Sequence, residues 1–403
     1  MTVQRSVIPA RITFLYTNIG RGHPFYLDGI MEALIRSQAV SLVRRELAVF
    51  DLSHGLSRVG LPTARWLYRR GSSGGVAGFV YRQLRSHTDY NRDSLSLRLM
   101  GRDVREAFVG DSDPLIVAHP TMVGILRGKP ELIYQHGELV TPDEAVVRGA
   151  STVLVPTPEA AEPFRTHGGY RPEQVVVTGL CIEPSLIRQA ADAHAARLAR
   201  YRSTGEPMIG AFFSSGAEPA AHVTRLIAAA HSVVLAGGRV ILFAQNHRDL
   251  ARRAARALAE RSISFGSIDS SDVIPSDLPA VLIVRHNSRR EENLLTSRLF
   301  SLFDFFVAPP HERSNWALGL GLPMFLIGPD IGPFAPLNRR VLLNSGAAQA
   351  IEAPMDAHPL GARIARLRAN GSLTSMAQAG WGHREINGFA RIAAFLVSKY
   401  GTI

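Results

Sequence analysis

At 403 residues and 46% hydrophobic content, the chain is long enough for two domains with separate cores. No window approaches the roughly 20 apolar residues of a membrane span, and the single Cys181 excludes an intrachain disulfide framework or a cysteine-rich metal site. The formal charge is +11, with Lys129 and Lys399 the only lysines among 45 basic residues, and it points to anionic partners. Arginine is the better bidentate partner for phosphate. With no helix-turn-helix, zinc-finger or RNA-binding aromatic motif, nucleic acid is not among the expected partners. The first ten residues lack the apolar core of a signal peptide, so a cytoplasmic location is expected.

Along the chain, the apolar run Ile12 to Tyr16 predicts a strand entering the turn Asn18-Ile19-Gly20-Arg21-Gly22-His23-Pro24. Leu27, Ile30, Met31, Leu34 and Ile35 follow with the spacing of one helix face. Strand, glycine turn and helix aim backbone N–H groups at an anion. Gly20 and Gly22 permit the tight turn, and Pro24 suits the first helical turn. His23 stands at the mouth of the loop as a candidate base or phosphate contact. An ordinary βα turn with a capping histidine has the same spacing.

Residues 46–50 read as a second strand. The stretch 61–92 then carries Arg65, Arg69, Arg70, Arg82, Arg85 and Arg92 among Trp66, Tyr68, Phe79 and Tyr81, as two amphipathic helical pieces around Gly71 to Gly75. That composition suits an anionic membrane surface, which would make the protein peripheral to the inner face of the membrane. It also suits two surface helices with solvated arginines. After a helix near 94–108, apolar runs recur at 115–118, 132–134, 152–155 and 175–178. Short buried runs alternating with helices predict a parallel sheet covered on both faces, with functional loops at the strands' carboxyl ends. His119, His136 and Glu138 lie directly after such runs. Asp111-Ser112-Asp113 precedes one, where an acidic turn is ordinary.

Residues 186–202 read as a helix leading to a linker at 203–207. The pattern then restarts with a strand at 208–213, the small-residue turn Ser214-Ser215-Gly216-Ala217 and a helix at 220–235. Further strands are expected at 239–244, 280–284, 305–307 and 323–327, with Arg285 and His286 in a loop after one of them. His311, Glu312, Arg313, Ser314 and Asn315 crowd between a strand and a helix; Ser314 or Asn315 suits a helix cap and Arg313 a phosphate.

The segment TNIGRGHPFYLDGIMEAL resembles the first loop of the family containing the lipid-linked peptidoglycan precursor N-acetylglucosaminyltransferase and the galactolipid (monogalactosyldiacylglycerol) synthases, whose glycine-rich turn closes in Gly-His. In the second half, GLGLPMFLIGPDIGPFAPLNRRVLLNSGAAQAI is similar to that family's Gly-Leu-Pro strand, loop and asparagine, and Phe213 to Gly216 fall where it has a glycine/serine loop. The resemblance is remote and spread over most of the chain.

It implies the GT-B architecture, an α/β fold of two Rossmann-like domains facing across a cleft. Residues 1–202 would bind the acceptor and 207–382 the nucleotide-sugar, with a terminal helix in 383–403 packed back on the first domain. The implied activity is inverting, metal-independent transfer of a sugar from a nucleotide-sugar, a UDP-sugar, to a lipid or other hydrophobic acceptor, with no cofactor. His23 is then the base and Glu138 a second catalytic candidate. Gly20, Arg21, Gly22, His119 and His136 would meet the acceptor. Ser214, Ser215 and Gly216 would face the diphosphate, Arg285 and His286 the nucleotide base, and Asn338 the sugar. His311, Glu312, Arg313, Ser314 and Asn315 complete the donor set.

Two departures bear on the donor. Aligned on Gly321-Leu322-Pro323, Trp316 occupies the position of the family's ribose-binding glutamate, leaving Glu312 as the candidate substitute. The family's glutamine before Asn338 is also missing. Two other functions fit the same fold: a nucleotide-sugar 2-epimerase or hydrolase, whose His-x-Glu pattern is echoed by His136-Gly137-Glu138, and a non-catalytic binding protein.

Overall fold

The structure is a computed structural model describing residues 11–17, 22–54, 89–92, 94–203, 205–216, 218–246, 249–351 and 353–401. They form two units, one comprising 11–184 with 387–401 and the other 185–386. The arginine-rich stretch expected at 61–92 lies outside the described residues except at its end, as do Gly20 and Arg21. Among the described residues, no helix is long and apolar enough to cross a membrane.

The first unit is built on a six-stranded parallel sheet in the order β2-β1-β3-β4-β5-β6: β1 Ile12–Tyr16, β2 Val43–Ala48, β3 Leu115–Val117, β4 Leu132–Gln135, β5 Thr152–Val155 and β6 Val175–Val177. Every residue of β3, β4 and β5 is buried, as helices on both faces of a parallel sheet require. The last helix, Gly388–Tyr400, packs on the first, Gly22–Arg36, through Phe389, Ile392 and Leu396. The two approach so closely at Gly29 that a Cβ there would lie 2.2 Å from the Phe389 ring.

The second unit holds a seven-stranded parallel sheet in the order β13-β12-β11-β7-β8-β10-β9. Its strands are β7 Ile209–Phe213, β8 Arg239–Gln245, β9 Phe265–Ile268, β10 Val281–His286, β11 Phe305–Ala308, β12 Met324–Ile327 and β13 Ala348–Ile351. The helix Ala190–Arg202, which the linker composition assigns to the first domain, belongs here. Its Arg197 donates to the carbonyls of Phe303, Leu320 and Gly321, and Arg200 pairs with buried Asp304 at 2.6 Å.

Other expectations shift locally. The second strand is Val43–Ala48 rather than 46–50, and a short helix, Val49–Leu52, takes over. The helix near 94–108 is broken at Gly101, where a Cβ would meet Ile125 at 2.5 Å. Arg285 and His286 lie within β10 rather than in the loop after it. Asp111 and Asp113 both hold Arg44, at 3.1 and 2.7 Å, making them the acidic turn the sequence suggested.

Apart from the edge of the second sheet, where β10 lies between β8 and β9, each sheet has one point where chain order reverses. In the first it lies between β1 and β3, and in the second between β7 and β11. At such a point the connections leave in opposite directions and open a crevice at the strands' carboxyl ends, where open α/β sheets bind ligands.

Candidate functional site

At the first reversal, His23 follows β1 and His119 follows β3. His23 Nδ1 lies 2.6 Å from the Ala118 carbonyl oxygen. A carbonyl only accepts, so Nδ1 carries the proton and Nε2 is the ring's basic nitrogen. His119 caps the helix Pro120–Ile125, its Nδ1 accepting the Thr121 N–H at 3.1 Å. The two rings are 4.3 Å apart between centroids and tilted by 56°. Beyond β4, the Tyr26 hydroxyl donates to Glu138 Oε1 at 3.2 Å. Gly137 makes that approach possible, since a Cβ there would lie 2.1 Å from the Tyr26 ring.

His136 plays a different part from the acceptor contact expected of it. It is 2% exposed, lies 3.1 Å from the Val140 carbonyl and 2.9 Å from Thr141 Oγ1 through Nε2, and faces the Tyr134 hydroxyl through Nδ1. Burial pushes its pKa down to about 4 against the raising effect of the Val140 carbonyl, so it is a neutral strut that folds the loop 136–141.

At the second reversal the polar groups are hydroxyls. Ser214 and Ser215 follow β7, and Ser314 opens the helix Ser314–Gly319 after β11. All three are buried, and their Oγ atoms have no hydrogen-bond partner among the described residues. Phe213 links the two segments, with the Arg313 guanidinium 4.3 Å over its ring and Trp316 5.5 Å away. The helix Ala220–Leu235, which follows β7 in the chain, has no side-chain cap on its first-turn N–H groups.

Beside these hydroxyls lies a buried ladder of alternating charge. Arg313 pairs with Glu292 and, at 3.3 Å, with Glu312; Arg289 pairs with Glu312 at 2.9 Å and Glu292 at 3.4 Å. Burial by itself would raise Glu312, but Arg289, then Arg313 and His311, hold it down to about 2. The Arg313 guanidinium, a phosphate ligand by sequence reasoning, thus has carboxylate partners, and Glu312 is engaged by two arginines. Trp316 is 1% exposed and packs against Phe213, Phe300 and Phe306, so the position of the family's ribose glutamate is filled by core.

No family model matches the sequence, and no curated protein is similar to it. Solved structures do match over nearly the whole chain. A Listeria monocytogenes protein assigned as a UDP-N-acetylglucosamine 2-epimerase superposes with a TM-score of 0.58 at 12% identity, covering 98% of each chain. The Neisseria meningitidis UDP-N-acetylglucosamine 2-epimerase bound to UDP-N-acetylglucosamine gives 0.55 at 10% identity, covering 96% of this chain and 99% of its own. Medicago truncatula UGT71G1, complexed with UDP-glucose, gives 0.52 at 9% identity, covering 98% and 99%. The chain has a GT-B-like fold.

Within that fold the remaining expected residues fall as follows. Asn338 lies inside the helix Phe334–Ser345, fully buried, and donates to the Pro310 carbonyl at 3.1 Å, which ties that helix to the 309–314 loop. Asn315 is 1% exposed in the helix after β11, and its side chain does not cap that helix. Gly216 is in the turn after β7, its carbonyl accepting from Gln245 at 3.5 Å. Arg285 is exposed and donates to Asn246 Oδ1 at 2.8 Å, while His286 is buried at the end of β10.

Sequence reasoning missed His222. It is fully buried, donates from Nε2 to the Pro329 carbonyl at 2.8 Å, and presents an Nδ1 with no partner among the described residues. Burial lowers its pKa to about 4. Its signal was weak, because a lone histidine in the first turn of an apolar helix reads as core.

Proposed function

We propose that the protein is a nucleotide-sugar enzyme that binds a UDP-sugar through its second unit and transfers the sugar, with inversion, to an acceptor hydroxyl. The observation that carries this is the set of buried, unpartnered hydroxyls of Ser214, Ser215 and Ser314 at the β7/β11 reversal. A buried hydroxyl without a partner costs roughly 1–3 kcal/mol. A diphosphate would satisfy all three, alongside the first-turn N–H groups of the helix Ala220–Leu235. His23, its Nδ1 proton held by Ala118, is suited to be the base. In the step proposed, the acceptor hydroxyl's proton passes to His23 Nε2 and its oxygen bonds to the anomeric carbon. The bond from that carbon to the diphosphate breaks, and its electron pair leaves on the phosphate oxygen. A lipid-borne acceptor follows from the family resemblance alone, and a peripheral place at an anionic membrane from the arginine and aromatic content of residues 61–92.

Thermal shift with UDP, GDP, dTDP and CMP tests the binding. A ligand at about 100 times its Kd should add about 2.7 kcal/mol of stability. Silence towards all four nucleotides would overturn the reading and favour a non-catalytic role. A second reading, 2-epimerisation or hydrolysis of the nucleotide-sugar, is favoured by the Glu138 carboxylate at the same sheet end as His23. Products formed from UDP-N-acetylglucosamine without an acceptor decide between the two.

A further inference from the structure

From Phe303 to Gly328, through β11, the helix Ser314–Gly319 and β12, every residue is buried except His311. This residue stands in the turn that leaves the carboxyl end of β11, so it is where that run of chain meets solvent. Its backbone is tied down: its N–H donates to the Pro309 carbonyl at 2.9 Å, and its carbonyl accepts the Ser314 N–H at 2.8 Å. Its imidazole forms no hydrogen bond or ion pair among the described residues. The fixed charges of the neighbouring loops are matched, Arg289 and Arg313 to Glu292 and Glu312, and Arg339 to Asp330 at 2.7 to 3.1 Å. Burial holds the His311 pKa below the ordinary histidine value; Glu312 and Asp330 oppose that and Arg313 adds to it. His222, fully buried on the helix Ala220–Leu235, also acts on it electrostatically. The ring is therefore mostly neutral at pH 7. An arginine already in a salt bridge brings no new charge to an incoming anion, whereas a neutral imidazole can gain one from solvent.

We propose that His311 meets the charge of the donor's diphosphate by taking up one proton from solvent as the ligand binds, its imidazolium N–H then donating to a phosphate oxygen. Only that N–H bond forms, and the phosphates keep their charge. This deepens the reading of the second unit as a UDP-sugar site and rests on it for the identity of the anion. Because the anion raises the pKa of the ring, a proton is taken up at any pH between the free and the liganded values. Affinity then rises as pH falls through the liganded value, by up to about tenfold per pH unit, and levels off below the free value.

Isothermal titration calorimetry with UDP-N-acetylglucosamine, run near pH 7 in buffers of unlike ionisation enthalpy, counts the protons taken up on binding. Both phosphates of this probe are esterified and do not titrate there, so any uptake belongs to the protein. Wild type should take up a proton, in part or in full, and bind more tightly as pH falls from about 8 to about 6. His311→Gln has no partner to lose and should melt with wild type. It should take up no proton, lose the pH dependence and bind about tenfold more weakly at the acid end. His311→Lys carries a fixed charge, so it should also take up no proton, yet at about pH 8 it should bind at least as tightly as wild type. Binding by wild type without proton uptake, uptake that persists in His311→Gln, or a loss of affinity in His311→Lys as large as in His311→Gln would each overturn the proton role while leaving the nucleotide site standing. Failure of wild type to bind the probe at all would overturn the nucleotide-sugar reading and this inference with it.

Discussion

The carboxyl ends of the two sheets solve different problems. At the β1/β3 end, polar atoms are matched to one another: His23 to a carbonyl, His119 to an amide, Tyr26 to Glu138, and His136 to Val140 and Thr141. Such matching fixes tautomers and orientations, which proton transfer requires. At the β7/β11 end, the charged groups close on themselves in the Arg289–Glu292–Arg313–Glu312 ladder while three serine hydroxyls are left unmatched. Unmatched buried donors are tolerated where a ligand completes them. The contrast teaches that charge alone does not mark unsatisfied polar groups: here the charges close on one another, and it is the small hydroxyls that are left unmatched.

The largest test of that contrast is Glu292→Gln. Removing one carboxylate leaves a buried arginine charge uncompensated, and a loss of about 3–5 kcal/mol is expected in denaturant unfolding. A change below 1 kcal/mol would mean the ladder is not the frame. Next, His23→Ala should lower the rate of UDP release by about 10²-fold, equivalent to about 2.7 kcal/mol, while the UDP-induced thermal shift stays as in wild type. Equal loss of UDP affinity would place His23 with the nucleotide and erase the division of labour.

Acid should expose the buried histidines of both regions. His136 and His222 each have a folded pKa depressed from 6.5 to about 4, so between those values the unfolded chain binds protons the native state does not. Their stabilising contribution is therefore complete above pH 6.5 and declines as pH falls towards 4, by up to about 1.4 kcal/mol per pH unit for each. The double variant His136→Gln with His222→Gln should flatten that part of the curve; an unchanged slope would contradict the assigned burial effects. The smallest effect is expected from Ser314→Ala. Without a partner to lose, it should leave the unliganded protein as stable or about 1 kcal/mol more so, yet weaken UDP binding. A destabilised variant with unaltered UDP binding would show that Ser314 belongs to the packing.

Much of the architecture was legible in the chain because central strands of a parallel sheet are buried on both faces and read as plain apolar runs, as in β3, β5, β7 and β11. The strands misplaced or missed, β2, β9 and β13, are all at sheet edges. Arg44, Arg45 and Glu46 are exposed in β2, and only Ile268 is buried in β9, so the hydrophobic signal was absent there. The candidate residues were legible as positions after strands but not as partners. Nothing in the spacing showed that His136 would be a buried strut, that Arg313 would face Glu292, or that His222 would be packed beneath the Pro329 loop.

By itself the sequence determined which segments become buried strands and helices, and hence which loops gather at the carboxyl ends of two parallel sheets. Those facts follow from local periodicity and apolar content. The tertiary structure alone decided what each polar side chain there does. His23 has its Nδ1 proton fixed by the Ala118 carbonyl, 95 residues away in sequence, and Arg313 is neutralised by Glu292. A titratable group's role is set by its partners and by its loss of water, and both come from residues distant in the chain.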